Sequence, residues 1–158
     1  MPPQKLDLDR FDYRLLELLQ ADARQPVPEL ARQIGLSPPA CYRRLRRLRE
    51  TGAIEAEVAR VKPRTLGWNI SMIVMVVLDR EGSRTVSELL TKFSRHPQVT
   101  ECANVTGDYD FAVRMVARDM EDYDDVARIL FAEDERVRSF KTLVVIRETR
   151  GWALALAG

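Results

Sequence analysis

The sequence is poor in the residues that build reactive and metal centres. It contains two cysteines, Cys41 and Cys102, outside any CxxC pair, and one histidine, His96, which precedes a proline. Zinc sites need clustered cysteine and histidine ligands, so these counts argue against one and favour two buried free thiols. No nucleophile–base pair and no phosphate-binding glycine motif is visible either. We therefore expect no cofactor, no metal and no enzymatic activity.

Long apolar runs are also missing. The longest, Ile70–Leu78, has the length of a strand, whereas a bilayer span needs about 18 apolar residues. The first ten residues, MPPQKLDLDR, lack the apolar core of a signal peptide. We expect a cytoplasmic protein with no membrane partner. A composition of 46% hydrophobic and 31% charged residues in a chain of 158 fits one or two small globular domains.

The small net charge of +1 conceals an asymmetry along the chain. Residues 1–64 hold 13 basic against 9 acidic side chains, and residues 65–158 hold 12 against 15. A basic first part and an acidic second part predict that the first part binds a polyanion and the second does not.

The most informative stretch is Gly35–Glu50, GLSPPACYRRLRRLRE. Gly35 permits a tight turn, Ser37 can cap a helix, and Pro38 suits the first helical position. At 100° per residue, one side of this helix is apolar and the opposite side is cationic. The apolar side carries Cys41, Leu45 and Leu48, and the cationic side carries Arg43, Arg46 and Arg47. Such a helix fits an anionic groove, although arginines that merely solvate a surface helix give the same pattern.

Two helices are predicted before this one. The first covers about Asp9–Asp22, with Asp9 and Asp12 at the spacing of a capping box and an apolar stripe at Phe11, Leu15, Leu18 and Leu19. The second covers roughly Pro28–Ile34. Three helices with short connections form a helix-turn-helix unit.

The pattern changes after Gly52. Residues 53–67 alternate loosely and predict a short strand, the wing of a winged helix-turn-helix, followed by a hinge. From Ile70 onward the periodicity predicts strand, helix, strand, strand, helix, strand, the ferredoxin-like arrangement, in which Ser83 or Thr85 caps the first helix. Its sheet carries helices on one face only, and its strands are apolar, so we expect a second copy of the chain to cover the other face. The predicted class is α+β, with domains at 1–52 and 69–158 and a hinge at 53–68.

These segments resemble the leucine-responsive regulator (Lrp/AsnC) family of transcription regulators over almost the whole chain. The resemblance is carried by LDRFDYRLLELLQADAR, by ELARQIGLSPPACYRRLRRLRETGAI and by VTGDYDFAVRM. It implies an N-terminal DNA-binding domain, a hinge, and a second domain that senses a small effector and drives dimerisation, often with formation of an octamer. One departure is the segment Ser37-Pro38-Pro39-Ala40-Cys41, where the family usually has Ser-Pro-Thr-Pro-Cys, so Pro39 stands in place of the threonine.

Two groups of candidate site residues follow. The DNA-contacting group is Ser37, Pro38, Pro39, Tyr42, Arg43, Arg44, Arg46 and Arg47. The effector-binding group, implied mainly by the resemblance, is Thr106, Gly107, Asp108, Tyr109, Asp110 and Met120. A glycine turn exposes N–H groups that suit a carboxylate, beside carboxylates that suit an ammonium, so the expected effector is an amino acid. Asp110 is the expected ammonium ligand. An ordinary turn beside a core Tyr109 remains the alternative for the loop, and a core role remains the alternative for Met120.

Three functions compete at this point. An effector-responsive transcription regulator uses both groups of residues. A nucleoid-organising protein would bind double-stranded DNA without sensing anything, and an altered effector loop would favour it. A small enzyme on the ferredoxin-like half lacks support, because His96 is the only histidine and no reactive pair accompanies it.

Overall fold

The chain divides into two compact units, and the boundary in the sequence falls between Ala59 and Arg60. The computed structural model of the protein describes residues 6–79 and 82–148. Each unit has its own hydrophobic core.

The first unit contains three helices, α1 (Arg10–Ala21), α2 (Val27–Ile34) and α3 (Pro38–Glu50). Asp9 and Asp12 form the predicted capping box at the start of α1, each side chain accepting the other's backbone N–H. Gly35 ends α2 with a φ of 74°, and the Ser37 hydroxyl then caps α3. The core is formed by apolar residues from all three helices: Leu15, Leu18, Leu30, Ala31, Cys41, Leu45 and Leu48. The predicted helix-turn-helix is confirmed.

The second unit has the predicted order of elements. They are β1 (Ile70–Leu78), α4 (Ser83–Ser94), β2 (Val99–Asn104), β3 (Phe111–Ala117), α5 (Met120–Ala127) and β4 (Val137–Val144), and a π-helical turn follows α5. The strands form one antiparallel sheet in the order β2-β3-β1-β4. This is the ferredoxin-like fold.

Both helices of the second unit pack on the same face of the sheet. Alternate residues of β1, from Met72 to Leu78, are buried against Leu89 and Phe93 of α4 and against α5. Phe93, Phe111, Phe131 and Phe140 form a chain of ring contacts with centroids 5.3–5.6 Å apart. The opposite face, called the outer face below, presents Ile73, Met75 and Val77 of β1, and these side chains are only partly buried.

Two local predictions were wrong. Residues 53–62 form no strand, and hence no wing, and a 3-10 turn at Pro63–Leu66 follows them. Residues 55–62 are exposed on both sides, so their loose alternation has no core to face. Neither Ser83 nor Thr85 caps α4: its N-cap is Gly82, without any side-chain hydrogen bond, and Ser83 is already helical.

Candidate nucleic-acid interface and effector loop

The sides of α3 separate as the sequence predicts. Cys41 and Leu48 are fully buried, whereas Tyr42 is 58% exposed. Pro38 and Pro39 lie in the exposed first turn, and the Ser37 hydroxyl accepts the N–H of Ala40 there. This packing fixes the helix to its unit by one side and leaves the first turn and the opposite side accessible.

Arg43 and Arg46 lie on the accessible side. Both are exposed, and Arg46 forms an ion pair with Glu50 one turn further along α3, at 2.7 Å. Both partners of that pair are largely exposed, so solvent screens it and it contributes little to stability. Arg46 can therefore exchange Glu50 for a phosphate or a base at small cost.

Arg44 and Arg47 are arranged differently, because both contact Asp12 of α1. Arg44 Nη1 lies 3.0 Å from Asp12 Oδ1 and 2.7 Å from Asp9 Oδ2, and Arg47 Nη2 donates to Asp12 Oδ2. The guanidinium of Arg44 also lies over the ring of Phe11. Sequence reasoning placed Arg47 on the free cationic side, but the structure gives it an acidic partner and leaves 48% of its side chain exposed.

Sequence reasoning recognised Asp12 only as a capping residue. It is fully buried, and a signal for this was present: Asp12 stands three residues before Leu15 and seven before Leu19, so it falls on the apolar stripe of α1. A carboxylate among buried leucines needs a charged partner. The arginine-rich helix α3 supplies two such partners, Arg44 and Arg47.

The ion pairs keep these groups charged. Burial acts to lower the pKa of Arg44, but hydrogen bonds to Asp9 and Asp12 outweigh it and raise the pKa above its usual value. For Asp9, burial acts to raise the pKa, and hydrogen bonds from the N–H groups of Asp12 and Phe11 and from Arg44 lower it overall. Arg44 is therefore permanently cationic and bound within the unit.

The predicted effector loop connects β2 to β3 and is held at its base. The backbone carbonyl of Asp110 accepts the N–H of Val105 at 2.9 Å and the side-chain amide of Asn104 at 2.8 Å. Thr106, Gly107 and Asp108 are exposed, and Tyr109 is partly buried. Gly107 has a φ of 126°, and no atom lies within 4 Å of the position a Cβ would take. The loop thus has a fixed base and an open tip.

Asp110 does not face the open tip. It is buried, its N–H donates to the carbonyl of Val76, and its Oδ2 accepts the N–H of Leu78 at 2.6 Å. The expectation that this residue is rigidly held is correct. Its carboxylate, however, is directed to β1 instead of an exposed pocket, and this leaves Asp108 as the exposed acidic group of the loop.

Met120 lies far from the loop within one chain. The register of β1 and β3 pairs Phe111 with Val76 at the loop end and Ala117 with Ile70 at the other. Met120 follows Ala117, so the seven residues of β3, about 20 Å of strand, separate it from the loop. Met120 is 52% exposed, which excludes the alternative that it belongs to the core. A pocket that contains both Met120 and the loop requires a second copy of the chain.

The outer face carries a groove of about 560 Å³ on the second unit. Ile73, Arg114 and Leu143 line its floor, where Ile73 pairs with the other two across the sheet, and residues 144–148 form its side. Arg114 lies 3.1 Å from Glu148. Leu143 is 44% exposed. Arg114 also lies 3.7 Å from Glu101, its neighbour on β2, so the outer face combines apolar surface with the ion pairs of Arg114.

Comparison with known proteins identifies both units. Residues 8–49 match the AsnC-type helix-turn-helix domain, and residues 71–151 match the Lrp/AsnC ligand binding domain. The chain belongs to the Lrp/AsnC family. The members of this family are transcription regulators and not enzymes, so this protein is a DNA-binding transcription regulator with a ligand-binding domain.

The relatives match nearly the whole chain. An uncharacterised HTH-type transcriptional regulator of Sinorhizobium fredii is 43% identical over 141 residues, which cover 89% of this chain and 83% of that protein. The leucine-responsive regulatory protein of Escherichia coli K12 is 31% identical over 144 residues, covering 91% and 88%. A transcriptional regulator of Neisseria meningitidis, solved as a complex with L-Met, has the same fold, with a TM-score of 0.83, 24% identity and coverage of 95% and 97%.

Membrane-spanning helices and clusters of metal ligands are both absent from the part of the chain that the structure describes. Within residues 6–79 and 82–148, no helix combines the length and apolarity needed to cross a membrane. The same residues contain no group of three or more His, Cys, Asp or Glu side chains suited to a metal ion.

Proposed function

We propose that this Lrp/AsnC regulator binds sequence-specific sites as a homo-oligomer and that a free amino acid controls its DNA binding or its assembly. The observation that carries the proposal is the loop from Thr106 to Asp110, which has an open glycine tip beside an exposed carboxylate on a rigid base. The names of two relatives, one leucine-responsive and one solved with L-Met, support an amino acid as the effector.

In this proposal the two ends of the effector contact different parts of the loop. Backbone N–H groups around Gly107 take the carboxylate, since a glycine turn lets them approach an anion closely. Asp108 takes the ammonium, because the carboxylate of Asp110 already binds Leu78 N–H. Thr106 and Tyr109 border the site, and Met120 of a second copy contributes to it.

The DNA-contacting surface is the first turn and the exposed side of α3. Ser37 and the N–H groups near Pro38 and Pro39 lie next to phosphates, because a helix N-terminus attracts anions. Tyr42, Arg43, Arg46 and the exposed part of Arg47 face the major groove. Arg44, which is bound to Asp9 and Asp12, holds α3 in place instead of contacting DNA.

Assembly proceeds through the outer face. One helix-turn-helix of this size gives limited specificity, and a two-fold dimer presents two recognition helices to half-sites one DNA turn apart, about 34 Å, or a multiple of it. The apolar side chains of Ile73, Met75 and Leu143 supply the contact. Sedimentation of the wild type as a monomer at micromolar concentration would contradict this arrangement.

The hinge lies within residues 53–68, which include the boundary between the compact units.

Calorimetric titration with each proteinogenic amino acid tests the effector site. We expect at least one to bind, and we expect Asp108→Asn to weaken that binding by about one to two decades, the value of a charge-assisted contact. Asp7→Asn, which alters an exposed aspartate outside the ligand-binding domain, is the matched control and should bind like the wild type. If no amino acid binds the wild type, the effector-independent DNA-organising function becomes the better description.

A further inference from the structure

The buried carboxylate of Asp12 connects the first helix of the DNA-binding unit to the recognition helix. It is fully buried, and both of its oxygens are used. Oδ1 lies 3.0 Å from Arg44 Nη1, and Oδ2 accepts from Arg47 Nη2 and, at 3.1 Å, from the N–H of Asp9. One side chain of α1 thus contacts two arginines that are one turn apart on α3.

The two arginines depend on Asp12 to different degrees. Arg44 also pairs with Asp9 at 2.7 Å and lies 5.2 Å from the ring centroid of Phe11, and only 26% of its side chain is exposed. Arg47 is 48% exposed, and its contact among the described residues is the one with Asp12. Loss of the Asp12 carboxylate therefore leaves Arg44 with two other contacts but releases Arg47.

Holding one edge of a guanidinium has a specific consequence. The five N–H donors of arginine lie in one plane, so a contact at Nη2 restricts the directions in which the other donors can point. A long side chain that is ordered before binding also loses less entropy when it meets its target. A flexible arginine would still attract phosphates, but it would not present donors to a base edge in a fixed orientation.

We infer that Asp12 is a positioning residue for sequence recognition, which orients the guanidinium of Arg47 toward the bases while remaining out of contact with DNA itself. This rests on the proposed contact of Arg47 with DNA. Removal of the Asp12 carboxylate should therefore affect specific and non-specific DNA binding differently. A carboxylate next to DNA repels phosphates, so removing it should leave non-specific binding equal or stronger. Specific binding should nevertheless weaken, because Arg47 loses its orientation.

The test uses two duplexes as probes: one selected from a random pool by the wild-type protein, and a shuffled duplex of the same composition. Binding is measured by fluorescence anisotropy. We expect Asp12→Asn to weaken binding to the selected duplex about tenfold, the size of one base contact, and to leave the shuffled duplex bound at least as tightly as by wild type. A double-mutant cycle then tests whether Asp12 acts on DNA binding through Arg47. In an Arg47→Ala background Asp12→Asn should have no further effect, and in the matched Arg43→Ala background its effect should persist.

Failure of this inference can be distinguished from failure of the DNA-contact proposal. If Arg47→Ala binds the selected duplex like wild type, Arg47 does not contact DNA. Both the proposed contact and the positioning role of Asp12 are then wrong. If Arg47→Ala weakens binding but Asp12→Asn does not, the contact stands and the positioning role is overturned. An equal loss on both duplexes, or a loss that persists without Arg47, shows a merely structural Asp12 and also overturns it.

A second variant covers the case in which Asp12→Asn does not fold, as judged by circular dichroism. Arg47→Lys keeps both the charge and the buried carboxylate, but an ammonium lacks the planar fork that can serve Asp12 and a base at once. We expect the same loss of about tenfold on the selected duplex with little change on the shuffled one. Equal wild-type affinity of Arg47→Lys for the selected duplex would overturn the inference.

Discussion

Replacement of Asp110 by alanine should destabilise the second unit, because this carboxylate completes the hydrogen bonding of the central strand. Its Oδ2 accepts the N–H of Leu78 at 2.6 Å, and both residues are buried, at 8% and 3% exposure. Water cannot replace the lost acceptor easily, so the buried N–H loses its partner. An unsatisfied buried donor costs about 1–3 kcal/mol. For a unit of this size, about 2 kcal/mol corresponds to a fall in melting temperature of roughly 8–16 °C.

The assay is thermal unfolding of wild type and variant, followed by circular dichroism or calorimetry. Asp108→Ala is the matched control, because it removes an aspartate from the exposed tip of the same loop and should leave the melting temperature nearly unchanged. Amide exchange adds a local readout, since the Leu78 N–H should lose protection in Asp110→Ala alone. Equal melting temperatures of the two variants would refute the reasoning and would return Asp110 to consideration as an effector ligand.

Three further outcomes are expected. Arg43→Ala should weaken DNA binding and flatten the dependence of log K on log salt by about one if Arg43 touches a phosphate; an unchanged affinity would contradict its place at the interface. The pKa of Asp134 is held well below its usual value by hydrogen bonds from Arg136 and Lys92 that outweigh burial, so Asp134→Asn should destabilise the protein at neutral pH. This stabilisation is complete above the pKa of the unfolded state, near 4, and is lost as the pH falls toward the lower pKa of the folded state, so urea unfolding should show the difference between wild type and variant shrinking below about pH 4. Burial raises the pKa of Cys102 to about 11, so iodoacetamide at pH 8 should modify it quickly only after unfolding, and rapid modification of the native protein would contradict that burial.

The sequence predicts regular elements well here because their signals are local. The capping box at Asp9, the positive φ at Gly35 and the apolar alternation of Ile70–Leu78 each depend on residues close together in the chain. The strand expected in residues 53–62 failed for the converse reason, since a strand needs a partner and a buried side that alternation alone does not provide.

Contacts between distant residues explain what the sequence did not predict about the sites. Asp12 and Arg47 are 35 residues apart, and Asp110 and Leu78 are 32 apart, so no local sequence pattern predicts either hydrogen bond. In each contact, a charged side chain that the sequence pattern predicts to be free at the surface, Arg47 or Asp110, binds a partner within its own unit. The helical side of Arg47 and the loop position of Asp110 were correct, but the direction of each charged group depends on tertiary packing.

The full length of β3 separates Met120 from the loop, so a site that contains both would form only between copies of the chain. This affects the effector concentration at which such a regulator would respond. A ligand held between copies of the chain binds only to associated chains, so its apparent affinity depends on protein concentration as well as on its contacts. Titrations at different protein concentrations would then give different midpoints. The abundance of the regulator would then help to set the amino-acid concentration at which it responds. A change in its expression would shift that concentration without any change in sequence.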